Sequence, residues 1–167
     1  MEGMAMRRLR GLKHVVPFVL LAISAACATL PQDSTSLLPI KRAADQAYAQ
    51  GDLKRAGADY QKLAQAMPED AWVWFRLGNI AARQGHLNSA VKNYQAALLR
   101  DPRLAPAWHN LAIVRLRQAQ SALIAAVRLS PSNSALSQMS WQLAQGLEQL
   151  PGVAGEAPAA TAQEPAP

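Results

Sequence analysis

The 167-residue chain is expected to fold as an all-α array of stacked antiparallel helical hairpins, and three features predict this. Apolar residues recur at helical rather than alternating spacing, glycine and proline interrupt those runs at regular intervals, and one stretch of about 34 residues is echoed on either side. Composition agrees, since half the residues are apolar but only four are Trp, three Tyr and two Phe. Ala, Leu, Gln and Arg outnumber β-branched residues, a balance that favours helix over sheet.

Residues 1–26 read as an export signal. Arg7, Arg8, Arg10 and Lys13 precede the apolar run Val15–Ile23, which ends in Ser24, Ala25 and Ala26 before the single cysteine, Cys27. A basic region, an apolar core and a small-residue exit form that pattern. Ile23-Ser24-Ala25-Ala26-Cys27 resembles the lipobox of bacterial lipoproteins, with Ser24 where that family usually has Leu. The resemblance implies that Cys27 carries a lipid and becomes the mature N-terminus. Ala28, in place of an aspartate, implies the periplasmic side of the outer membrane. Three alternatives stay open: cleavage at Ala26-Cys27-Ala28 to give a soluble periplasmic protein, retention of the uncharged run His14–Gln32 as an inner-membrane anchor, or Cys27 as an inert small apolar residue inside the signal. Residues 27–36 then form a tether.

The clearest repeat lies between Ala71 and Pro102. Trp74, Leu77 and Ala81 fall at i, i+3 and i+7 on one helical face. Gln84-Gly85-His86 breaks the period with the residue that best tolerates positive φ. Ala90, Tyr94, Ala97 and Leu98 resume it until Asp101-Pro102, where proline lacks the N–H to continue. Pro68 lies 34 residues before Pro102, and Leu37–Pro68 repeats the pattern: Ala44 for Gly78, Gly51 for Gly85, Ala56 for Ala90, Tyr60 for Tyr94 and Leu63 for Ala97. Ile40 takes the place of Trp74, a smaller knob at the start of an array. This large, small and breaker spacing resembles the tetratricopeptide repeat, which implies an α–α superhelix.

Trp108, Leu111 and Ala112 open a third copy, but Pro131 follows Pro102 by only 29 residues. The positions that would hold a glycine turn, between Gln118 and Ala119, are missing. The stretch 105–129 is therefore either a hairpin with a very tight turn or one continuous helix; the absence of Gly and Pro from Ala107 to Leu129 favours the latter. Ser132, Asn133 and Ser134 offer N-caps to a final helix. Its apolar stripe, Leu136, Met139, Leu143, Leu147 and Leu150, resembles that of a terminal capping helix, and Trp141, off that stripe, is expected to pack on the long helix, with an exposed contact as the alternative. The helical domain thus spans 37–150, with about two full repeats, a degenerate third and a cap. The Pro/Ala-rich stretch 151–167 cannot offset the entropy of ordering and is expected to be a disordered tail.

Catalytic chemistry is not expected. His14, His86 and His109 are scattered and have no second ligand at metal spacing. There is no phosphate loop and no Ser/His/Asp candidate set, so no cofactor or metal is implied. Asp52, Glu69, Asp70 and Asp101 fall at helix ends, where capping and the dipole favour them. Of the net charge of +6, half sits in the first 26 residues, which leaves too little for nucleic acid.

The repeat resemblance implies a concave groove for a protein or peptide partner, drawn from positions two, five, nine, twelve and thirteen of each copy. These are Leu38, Lys41, Asp45, Tyr48 and Ala49, then Trp72, Phe75, Asn79, Ala82 and Arg83, then Pro106, His109, Ile113, Leu116 and Arg117. Asn79 and Asn110 match the asparagines that hold a peptide backbone in peptide-binding members, or else they serve solvent and local backbone. Phe75 stands where a carboxylate clamp would begin with lysine, so recognition of a C-terminal carboxylate is not implied. Lys41, Trp72, Phe75, Asn79, Arg83, His109, Asn110 and Arg117 are the candidate groove residues. The expected role is a lipid-anchored envelope adaptor, with assembly of pili or secretion systems as the analogy. The alternative is a self-assembling module, because the uneven third repeat leaves an apolar face that a second copy would cover.

Overall fold

The computed structural model describes residues 37–153, and all six elements among them are helices. They are α1 (Leu37–Ala49), α2 (Leu53–Ala66), α3 (Ala71–Arg83), α4 (Leu87–Arg100), α5 (Ala105–Leu129) and α6 (Ala135–Glu148). The expected signal, the tether with Cys27 and the tail beyond Val153 lie outside the described residues.

The hairpins end where the sequence breaks. Gly51 and Gly85 adopt φ of 78° and 77°, in the left-handed region that a side chain disfavours, and turn α1 into α2 and α3 into α4. The Asp52 carboxylate caps α2 through Arg55 N at 3.0 Å. Asp70 caps α3 through Trp72 N at 2.8 Å, and the Ser134 hydroxyl caps α6 through Ser137 N at 3.1 Å. Each satisfies backbone donors that the first helical turn leaves open.

The 34-residue period is visible in the bonds as well as in the packing. Trp74 Nε1 donates to the Pro68 carbonyl at 2.8 Å, and Trp108 Nε1 donates to the Pro102 carbonyl at 3.0 Å. Trp74 is partly buried and touches both core clusters, with the Arg100 guanidinium over its ring. One cluster joins α1, α2 and α3 around Tyr60 and Leu63. The other joins α3, α4 and α5 around Phe75 and Tyr94. Trp74 therefore stitches one hairpin to the next, as its repeat position implies. Trp108 occupies the equivalent place with no further hairpin beyond it and is exposed.

Helix α5 runs unbroken for 25 residues, so the missing turn between Gln118 and Ala119 resolves as continuous helix. Its buried residues end at Val114. Helix α6 also packs against it, and beyond Val114 the Gln118 amide still bonds Asn88 at the start of α4.

The contact between α5 and α6 departs from the sequence expectation. The α6 residues that reach the interior are Ser140 and Ala144, while Leu136, Met139 and Leu143 are 60%, 61% and 55% exposed. Leu150 and Trp141 are also exposed. Four of the five stripe residues are thus turned outward, and the helix docks through Ser140 and Ala144 with Leu147 half-buried beside them. Those residues allow close approach to a single neighbouring helix, and among the described residues no further layer covers the stripe. With no fully buried large side chain between them, α5 and α6 lack the ~1.5–3 kcal/mol that each such residue supplies in the first two hairpins.

Residues 151–153, assigned by sequence to the tail, belong to the folded unit. They form a turn after α6 in which Val153 N donates to Leu150 O at 3.1 Å and Val153 is 3% exposed.

Candidate protein-binding face

Side chains join α1 to α3 through Tyr48 with Arg76 and Arg83, and α3 to α5 through Asn79 and Asn110, whereas α2 packs against α1 and α3, and α4 against α3 and α5. Residues at i, i+3 and i+7 put Arg76, Asn79 and Arg83 on one stripe of α3 and Asn110, Ile113 and Arg117 on one stripe of α5. Tyr48 at the end of α1 meets the α3 stripe. The Arg76 and Arg83 guanidinium carbons lie 5.2 and 4.9 Å from its ring centroid, and Arg83 Nη1 donates to its carbonyl at 3.4 Å. Cations held on a ring face keep their charge available at the rim.

Beneath this surface is a buried polar node. Asn79 is fully buried, and its Oδ1 accepts from the Tyr94 hydroxyl at 2.8 Å and from Asn110 Nδ2 at 2.8 Å. One amide oxygen thereby ties α3, α4 and α5 together. Tyr94 can enter because Gly78 is bare: a Cβ there would fall 2.5 Å from two of its ring carbons. Two polar atoms of the node, Asn79 Nδ2 and Tyr48 Oη, are buried and have no partner among the described residues. An unsatisfied buried group costs about 1–3 kcal/mol, so these two atoms offset part of what the node's hydrogen bonds contribute.

Burial pushes the Tyr94 phenol well above its ordinary range, a shift reinforced by Tyr48 and opposed by the neighbouring Asn110 amide and Arg117. An acid whose folded pKa is raised stays protonated while its unfolded counterpart ionises. Its stability contribution is therefore intact below the unfolded value of about 10 and is lost as pH rises above it. Tyr94→Phe should lower stability at neutral pH by about 1 kcal/mol through the lost hydrogen bond. Its urea midpoint should nevertheless fall less steeply than the parent's above about pH 10. Parallel slopes in the two proteins would rule this out.

The structure redistributes the sequence-based groove. Phe75, Asn79 and Asn110 are interior, not surface-lining. The Phe75 ring packs edge-on to Trp72 at 5.4 Å and tilted to Tyr94 at 6.0 Å, and both asparagines are held in the node. Close approach of α4 over Gly78 draws this part of α3 inward. Trp72 is half-buried beside Phe75, and Arg83 remains at the surface on Tyr48. Lys41 pairs with Asp45 at 3.2 Å, and Asp45 also accepts from the Tyr60 hydroxyl. His109 is exposed on α5. Arg117 donates from Nε and Nη2 to the Gly152 carbonyl at 3.2 and 2.8 Å. Cys27 lies outside the described residues.

Sequence reasoning missed Arg76, whose signal was its place three residues before Asn79 and seven before Arg83 on one helix. It also missed Gly152 and Val153, concealed in a composition that reads as unstructured.

A separate hollow of about 780 Å³ lies between the α3–α4 turn and α5, lined by residues that include His86, Asn88 and Gln118. The Gln118 amide donates to Asn88 Oδ1 across it at 2.7 Å. Among the described residues no three His, Cys, Asp or Glu side chains converge as a metal site.

No curated protein matches the chain. A family model described as tetratricopeptide repeat matches residues 47–112, from the end of α1 into α5, so this stretch is similar to that repeat.

Proposed function

We propose that the protein is a non-catalytic adaptor of the bacterial cell envelope, anchored by lipid on Cys27 at the periplasmic side of the outer membrane. Its α1/α3/α5 face binds an acidic segment of a protein partner. Assistance in assembling an envelope machine, such as a pilus or secretion system, is the role that repeat lipoproteins of this type suggest by analogy. The basic region, apolar core and Ile23–Cys27 sequence support the location. The observation that carries the binding role is the pairing of Arg76 and Arg83 on Tyr48 beside two unpartnered buried polar atoms. Tethering at a membrane raises the effective concentration of a short array's weak contacts.

A photo-crosslinker at Ala49, exposed beside Tyr48, tests this in intact cells. It should yield a discrete adduct with another envelope protein, lost in Arg76→Glu/Arg83→Glu. An adduct indifferent to those charges, or none, would refute the reading. Mass spectrometry of the mature N-terminus should find acylated Cys27, and an unmodified Ala28 terminus or an uncleaved leader would refute the anchor.

The outward row of Leu136, Met139, Leu143 and Leu150 favours a second reading, a self-assembling module joined through α6. A sedimentation coefficient of the detergent-solubilised chain that is independent of concentration would dismiss it.

A further inference from the structure

The segment following α6 does not leave into solvent. Leu150–Val153 turn back, with Gly152 at φ 79°, and lay the backbone on the Ile113–Arg117 stripe of α5. Gly152 lies so close to Ile113 that a Cβ on it would sit 3.4 Å from Cδ1. Its carbonyl is held in the fork of the Arg117 guanidinium, and Val153 is buried. The chain is thus delivered, already anchored, to the edge of the face assigned above to a partner.

We infer that residues 154–167 are an intramolecular ligand of the α1/α3/α5 face, docking beside Arg76 and Arg83 and competing with the external partner. This rests on the reading of that face as a binding surface. Two observations choose this occupant. The first is charge: the segment contains Glu156 and Glu164 and no Lys or Arg, while the rim beyond Arg117 presents Arg83 and Arg76. The second is reach: three extended residues from Val153 to Glu156 span roughly 10 Å, and neighbouring packed helices lie about 8–10 Å apart. Glu156 can therefore meet the α3 cations one helix over.

Pro158 and Pro165 reduce the conformations lost on docking. Because the segment is covalently attached beside its site, its effective concentration is on the order of millimolar. A contact too weak to detect between separate molecules is then substantially occupied within one chain. The external partner must displace it, so the apparent affinity reports the tail as well as the face.

The test uses the full chain with benzoylphenylalanine in place of Ala157, irradiated where it is monomeric, with products mapped by mass spectrometry. An intramolecular product joining residue 157 to peptides containing Tyr48 or Arg76–Arg83 is expected. Its yield should fall at least about fivefold in Glu156→Lys/Glu164→Lys, which leaves the helical unit untouched. It should fall similarly at about 1 M salt, where the screening length shrinks to about 3 Å. Products confined to α6, products only between chains, or a yield indifferent to charge reversal would overturn the proposal. The Ala49 crosslink separates this from the reading it rests on. If residue 157 gives no internal product while the Ala49 adduct persists, the tail proposal fails and the partner face stands. If the internal product forms and the Ala49 adduct never does, the tail proposal stands and the face serves the chain itself.

Discussion

Asn79→Ala should destabilise the protein by about 2–5 kcal/mol, because it removes one oxygen and strands two donors. The Tyr94 hydroxyl and the Asn110 amide both end on Asn79 Oδ1, inside a cluster with no exposed member to relax outward. Deleting a donor is milder than deleting the shared acceptor, so Tyr94→Phe is expected to cost only about 1 kcal/mol. Urea denaturation of the two variants measures the contrast. Equal losses would mean that the oxygen is not shared as described. Loss of partner binding in Asn79→Ala would reflect an unfolded array and would say nothing about contact with the partner.

Gly78→Val should be comparably damaging, at about 3 kcal/mol, and Gly78→Ala a graded version of it. Alanine gains up to about 1 kcal/mol of helix propensity over glycine. Against this, a Cβ would fall 2.5 Å from Tyr94 Cδ1 and Cε1, and overpacking of a filled core costs about 1–3 kcal/mol. Tyr94 cannot swing away, since it is fully buried and its hydroxyl is committed to Asn79. The net loss for alanine should therefore be about 1–2 kcal/mol. A stabilised Gly78→Ala protein would show that α4 yields easily and that the hairpin is looser than described.

Much of the fold was legible because the repeat writes the same packing problem twice. Tyr60 and Tyr94, Ala56 and Ala90, and Gly51 and Gly85 each solve one local constraint, and a constraint met at fixed spacing shows in sequence. Continuous α5 was legible for the complementary reason: nothing between Ala107 and Leu129 can break a helix. The face was read less well, since helical spacing fixes which residues share a side but not how deeply that side sinks. Asn79 and Phe75 occupy groove positions by count, yet the bare Gly78 beside them brings α4 close enough to enclose both. The orientation of α6 was misread because burial of the most apolar stripe was assumed, a rule that needs a second neighbour to supply the covering surface. With α5 alone to pack on, Ser140 and Ala144 give the closer fit. Val153 escaped notice because a single anchored valine leaves no periodic trace.

One paired measurement tests whether the interior that holds the repeats together is separable from the rim proposed to recognise a partner. Crosslinking from Ala49 and urea denaturation are carried out on Arg76→Glu/Arg83→Glu and on Asn79→Ala together. The charge-reversed protein should lose its adduct while keeping nearly the parent's unfolding midpoint, and Asn79→Ala should show the large drop in midpoint. A charge-reversed protein that retains its adduct, or loses it only in step with its stability, would contradict the account.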